Sequence, residues 1–305
     1  MAKEEKQVRA SYLEATGRID YGMTNDYMFR AILQRNEKVL KGLICSLLHL
    51  KPEEITSVRI TNPIEPGDNY DAKEFILDIV VLLNDTTLIN LEMQMENELN
   101  WEDRSLSYLC RSYDQLCRGE EYTMAKPVIH IGFLNFPPFA GSREFNASYK
   151  LMNVKNHRIY SDKFILNVID LTQIEQATAE DKASRIDYWG KLFTATTWEE
   201  IRMLAKKSKT MEEASKALYE LNADEITRQK CRARDDYYRL QNTINKKMEE
   251  LTEENQSLTA EKESLTAKNQ NLTAEKEKLE LEKQALEKLL TEHGISYPVH
   301  TDEVL

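Results

Sequence analysis

The chain has 305 residues, 41% hydrophobic and 30% charged, and a formal net charge of −11. No apolar run approaches the ~20 residues that span a bilayer, and the charged opening MAKEEKQVRASYLEATGRID contains no stretch resembling a secretory signal. Four cysteines without a CxxC pair and nine glycines without a GxGxxG or P-loop string point to free thiols in a reducing cytoplasm and away from glycine-loop nucleotide folds.

After a charged arm (1–20), the stretch YGMTNDYMFRAILQRNEKVLKGLICSLLHL spaces its apolar residues helically and predicts one or two amphipathic helices. Within it, Asn25 and Asp26 are suited to capping the helix that starts at Tyr27 or to contributing to a site. A short strand, EITSVRI, follows. Two strand-like runs, KEFILDIVVLL and TLINLEMQM, are then separated by Asn84-Asp85-Thr86. A helix is expected from about Asn100 to Gly119, with Leu106, Leu109, Tyr113 and Leu116 on one side and Gly119 as its cap. Cys110 and Cys117, on that helix, read as core-facing thiols. PVIHIGFLNF predicts a buried strand whose His130 is a satisfied core residue, and FILNVIDL (Phe164–Leu171) a further strand. The order describes an α/β layer fold with a mixed sheet (21–177), followed by an appended helical segment (178–234) packed on that core.

From 235 to 293 the pattern changes. Ile244, Leu251, Leu258, Leu265, Leu272, Leu279 and Leu286 recur every seven residues with no Gly or Pro among them, which predicts a coiled-coil helix before a short tail (294–305). With these residues at position d, position a holds Met248, Asn255, Lys262, Asn269, Lys276 and Lys283. Polar residues at a weaken the seam and favour low-order assembly, so a homodimer is the expected partner state. Repelling pairs such as Glu275–Glu280 in a parallel dimer leave strand orientation open. A solvated single helix held by charge pairs is the alternative. This segment holds 14 Asp+Glu against 9 Lys+Arg, so nearly half of the acidic excess is remote from the α/β core.

The chemistry concentrates in the two strand runs. Asp78 stands among apolar neighbours, where a lone carboxylate is costly unless it is paired or bound to metal. On LINLEMQMEN, period-two alternation puts Glu92, Gln94 and Glu96 on one face and Leu91, Met93 and Met95 on the other. In a hairpin with the three-residue loop Asn84-Asp85-Thr86, Asp78 lies opposite Glu92, with Cβ atoms about 4.5–5.5 Å apart. A two-residue loop would pair Asp78 with Leu91 and separate the acids. Two close carboxylates call for a shared proton or a cation. A hard divalent ion fits, Mg²⁺ or another such as Mn²⁺ or Ca²⁺, held by Asp78, Glu92 and the Met93 carbonyl. It would polarise a phosphodiester and activate water, with Gln94 orienting water or phosphate. A hydrogen-bonded strand Asp beside an unrelated Glu accounts for the spacing equally well. Arg104, Tyr108 and Arg111 share one helical face. Arg104 could meet a phosphate, with Tyr108 beside it, or Tyr108 could simply pack in a core.

The segments YGMTNDYMFRAIL, KEFILDIVVLLN, LINLEMQMEN, WEDRSLSYLCRSYDQLCRGEEY and KPVIHIGFLNF together resemble the recombination-promoting nuclease and transposase family of the PD-(D/E)XK superfamily, over about residues 20 to 235. The resemblance implies a restriction-endonuclease-like α-β-β-β-α-β core, an active site of Asp78, Glu92 and Gln94, and DNA as substrate. Gln94 stands where the superfamily usually has lysine, so no cation is supplied there to the attacking hydroxide. The reading is a metal-dependent DNA endonuclease linked to recombination, mobile elements or defence. The alternative is a catalytically weak DNA- or protein-binding scaffold assembled through the coiled coil. A transposase in the strict sense ranks below both, since neither a DDE-type set nor a helix-turn-helix signature is present.

Overall fold

Two asparagines divide the first helical stretch. The Asn25 side chain accepts from the Met28 amide at 3.2 Å and starts α1 (Asp26–Arg35). Asn36 ends that helix and accepts from the Val39 amide at 3.2 Å, starting α2 (Glu37–Leu48). Each side chain satisfies an amide that has no partner within its own helix. The computed structural model describes residues 12–62, 79–114, 116, 118–139 and 141–294. Asp78 and Cys117 lie outside the described residues, as do parts of the N-terminal arm and of the tail.

Among the described residues six strands form one sheet in the order β1-β2-β3-β4-β6-β5. β1 (Val58–Ile60) is the short strand expected from EITSVRI. β2 (Ile79–Leu83) and β3 (Thr87–Gln94) form a hairpin whose register runs from Ile79–Leu91 to Leu83–Thr87. Its loop is the three-residue one. Asn84 and Asp85 adopt left-handed φ of 49° and 57°, a conformation that Asn and Asp tolerate better than most residues. The Asn84 amide also ties this turn to Glu54, Thr56 and Ser57.

α3 (Trp101–Tyr113) follows, then β4 (Val128–Leu134), parallel to β3, and β6 (Phe164–Asp170), parallel to β4. α3 stops at Tyr113 instead of Gly119 because Asp114 leaves helical geometry. Its buried side is Trp101, Ser105 and Leu109, one residue every four. Leu106 and Cys110, expected inside, are exposed. Leu109 takes the inward position against Leu82, Leu88 and Val128. β5 (Asn146–Lys150) closes the far edge, antiparallel to β6. Its sequence, NASYK, is too polar to advertise a strand.

The remaining helices are α4 (Ala179–Ser184), α5 (Ile186–Thr194), α6 (Trp198–Ala205) and α7 (Lys209–Ala223). Thr178, Thr197 and Ser208 cap three of them, the two threonines through reciprocal bonds with Asp181 and Glu200. Of these, α5, α6 and α7 share one core with α1, α2 and one face of the sheet. Phe133 of β4 meets Phe193 of α5 edge-on at 5.1 Å and Phe29 of α1 at 5.6 Å. α8 (Glu225–Glu292) is the long helix expected at the C-terminal end. The chain divides into two units after Tyr238. Within the first, the start of α8 is held by a buried pair. Arg234 Nη2 donates to Asp26 Oδ2 at 2.6 Å, and Tyr238 Oη donates to the same oxygen at 2.7 Å. Asp26 thus serves an internal ion pair, while Asn25 serves as a cap.

Candidate active site

A β-strand sends successive side chains to opposite faces, and β3 uses both. Ile89, Leu91 and Met93 enter the core shared with α1, α2 and α5. Asn90, Glu92 and Gln94 lie on the other face and are also buried, Glu92 retaining only 4% of its exposure. α3 covers this side of the sheet through Trp101 and Leu109. Three polar side chains in a row beneath a helix cannot be explained by packing, because burying a carboxylate is costly without compensation.

Part of that compensation comes from α3. Arg104 Nε donates to Glu92 Oε1 at 2.7 Å, and its Nη1 lies 3.6 Å from Glu98. Burial works against the guanidinium charge, but Glu92, Tyr108 and Glu98 together outweigh it, and the Arg104 pKa stands above its ordinary value. Arg104, expected to meet a phosphate, has the Glu92 carboxylate as its partner here. Its guanidinium also lies 5.3 Å from the Tyr108 ring centroid. Tyr108 is only half-buried and stacks on His130, with centroids 6.1 Å apart and planes at 14°. Gln94 donates to the Glu96 carbonyl at 3.0 Å. Met93 stands between Glu92 and Gln94 with its side chain in the opposite core.

Two contributors come from β4, where the sequence reading saw only core. Gly132 pairs with Glu92, and a Cβ there would stand 2.1 Å from Trp101 Cη2. The bare backbone is what lets the indole lie against this strand. His130, in register with Asn90, is fully buried. Its Nδ1 meets Asn90 Nδ2 at 3.0 Å, and its Nε2 faces Glu92 Oε2 at 3.5 Å. Burial first, and the charge of Arg104 second, push its pKa down to about 4, so the ring is neutral at pH 7. Period-two alternation alone could have placed Asn90 beside Glu92. Nothing in the sequence sets the β3–β4 register that brings His130 and Gly132 to them.

The structure therefore gathers Glu92, Gln94, Arg104 and Tyr108 with Asn90, His130, Trp101 and Gly132. Asp78 lies outside the described residues. Among the described residues no group of three or more His, Cys, Asp or Glu side chains is arranged to hold a metal. The donor chemistry suits a hard divalent cation, since Glu92 offers carboxylate oxygens in a water-poor setting. It supplies one carboxylate, and Arg104 already engages it.

No described helix is long and apolar enough to cross a membrane. No curated protein and no solved structure matches the chain. A family model described as PD-(D/E)XK nuclease family transposase matches residues 23–247. This span takes in the whole sheet, the Glu92–Gln94 strand and its covering helix, and exceeds half of the sequence. The chain thus belongs to the PD-(D/E)XK nuclease family transposases, a nuclease family whose members typically use divalent metals and act on DNA.

Proposed function

We propose that the protein is a metal-dependent DNA endonuclease that hydrolyses phosphodiester bonds at the polar face of β3. The observation that carries this reading is Glu92, a carboxylate buried to 4% exposure on the sheet of a nuclease family. The hairpin register supports it. Ile79 pairs with Leu91 across a three-residue loop, the loop length on which that reading depends. Asp78, Glu92 and the Met93 carbonyl would hold Mg²⁺, or Mn²⁺ or Ca²⁺ in its place. The ion would supply a polarised phosphate and an activated water. Gln94 orients that water or the phosphate through its amide. Arg104 holds Glu92 in the free protein and offers its remaining N–H groups to a phosphate, with Tyr108 beside it.

The same reading gives the long helix a separate task. The heptad leucines of residues 235–293 pair with those of a second copy of the chain, and two cleavage sites in one dimer suit a double-strand break. The enzyme works in the cytoplasm, where its cysteines stay reduced. One observation favours the catalytically weak scaffold as second reading. Gln94 brings no positive charge to the site, and the arginine closest to Glu92 is spent on its carboxylate.

Nicking of supercoiled plasmid distinguishes the two. Activity is expected with Mg²⁺ or Mn²⁺ and none with EDTA. Asp78→Ala or Glu92→Ala should abolish cleavage while the fold survives. Cleavage unchanged in both variants would overturn the site. Gln94→Lys should keep or raise activity. A large loss there would show that Gln94 acts through its amide.

A further inference from the structure

Beside Glu92 the sheet buries a histidine nitrogen that has no hydrogen-bond partner among the described residues. It is Nε2 of His130. Buried polar atoms in native proteins are nearly always paired, so an exception asks for a reason. His130 has 0% exposure, and the Trp101 and Tyr108 rings lie 5.7 Å and 6.1 Å from its own, fixing the plane of the imidazole. Both of its nitrogens then have defined neighbours. An amide nitrogen only donates, so the 3.0 Å contact from Asn90 Nδ2 makes Nδ1 an acceptor and leaves the ring proton on Nε2. That proton faces Glu92 Oε2 across 3.5 Å. Turning the Asn90 amide over would reverse the tautomer and set a ring lone pair against the carboxylate, which is repulsive. At 3.5 Å the contact is longer than a full hydrogen bond, as contacts in active sites commonly are before ligands bind.

We propose that His130 is a positioning residue for Glu92: Asn90 fixes its tautomer, its Nε2–H is directed at Oε2, and together with Arg104 on Oε1 it sets the orientation in which the carboxylate receives a divalent cation. The inference rests on the reading of Glu92 as a metal ligand. It assigns a role to two residues, Asn90 and His130, that a mere core function does not need. An apolar core position would be filled better by leucine, without an unpaired nitrogen. Groups hydrogen-bonded to a ligating side chain fix its orientation and raise its basicity, and losing one typically weakens metal binding 10–100-fold.

The test is Mn²⁺ binding to the full-length protein without DNA, followed by the electron paramagnetic resonance signal of the free ion, with thermal melting of each variant in EDTA. His130→Leu should bind Mn²⁺ about 10–100-fold more weakly while still melting cooperatively. His130→Gln, which can present an amide N–H from the same side, should bind closer to wild type than His130→Leu does. His130→Leu binding as tightly as wild type would overturn the proposal, and so would equal losses in well-folded Leu and Gln variants. Should His130→Leu not fold, Asn90→Leu carries the test, since it keeps the ring and removes only the group that fixes its proton. Unchanged Mn²⁺ affinity in that variant overturns the proposal. Glu92→Gln tells the two levels apart. If it binds Mn²⁺ as well as wild type does, the metal reading of Glu92 fails, and the role of His130 falls with it.

Discussion

The core leucines of the first unit and the heptad leucines of the long helix have opposite surroundings. In the first, Leu43, Leu192 and Leu218 have no exposure at all, whereas in the long helix Leu251 keeps 42% and Leu272 62%. The first unit brings together helices and strands far apart in sequence, so residues such as these find apolar neighbours in one shared core. The heptad leucines are exposed along their helix, and an apolar stripe of that length is the kind of surface a partner covers. The two regions are stabilised by different means, and variants can separate them.

The largest effect should come from removing the seam. A chain ending at Asn242 should sediment as a monomer, while the full-length protein associates in a concentration-dependent way, because most of the heptad layers pair an apolar d residue with a polar a residue. The shorter chain should retain metal-dependent nicking and lose double-strand cutting more than nicking. An unchanged oligomeric state in analytical ultracentrifugation would move the interface into the first unit. The end point matters. Cutting at Ala233 would also remove Arg234 and Tyr238, the partners of buried Asp26.

Arg234→Ala should come next, costing about 3–5 kcal/mol in urea unfolding because buried Asp26 keeps the Tyr238 hydroxyl but loses its cation. Replacing both residues by apolar ones of similar size should restore much of that loss. If the single variant is as stable as wild type, the base of α8 is not held by this pair. Gly132→Ala should cost about 1–3 kcal/mol, since the added methyl meets the Trp101 ring. Displaced Trp101 fluorescence should accompany it, and an unshifted spectrum would show that the indole has room.

The smallest effect concerns the cap of α4. Burial pushes the Asp181 carboxyl upward, but the Asn146 amide and the Thr178 amide and hydroxyl outweigh it and hold its pKa below the ordinary value. A carboxyl lowered in the folded state stabilises the protein above the ordinary carboxylate range, near pH 4, and that stability is lost as pH falls through the folded pKa. Asp181→Asn should therefore cost about 1 kcal/mol at pH 7 and flatten the acid side of the stability curve. Equal slopes for variant and wild type would remove Asp181 from the account.

Local order was legible in the chain itself. Asn84-Asp85-Thr86 marked the hairpin turn though not its length, and alternation along LINLEMQM put Glu92 and Gln94 on one face, because both features depend on neighbours a few residues away. Asn25 read as a cap for the same reason, and the leucine heptad announced a long helix. Where side chains meet across the fold was decided elsewhere. The parallel register that sets Gly132 against Glu92 and His130 against Asn90 arises from strands joined through a helix and a long connection, and no local pattern encodes it. The same holds for the end of α3, for the exposure of Cys110, and for Asp26 and Arg234, separated by most of the first unit and joined in its interior. Backbone periodicity and capping are short-range physics that a sequence carries openly. Register, burial and pairing depend on which surfaces close against each other, and only the packed molecule settles that.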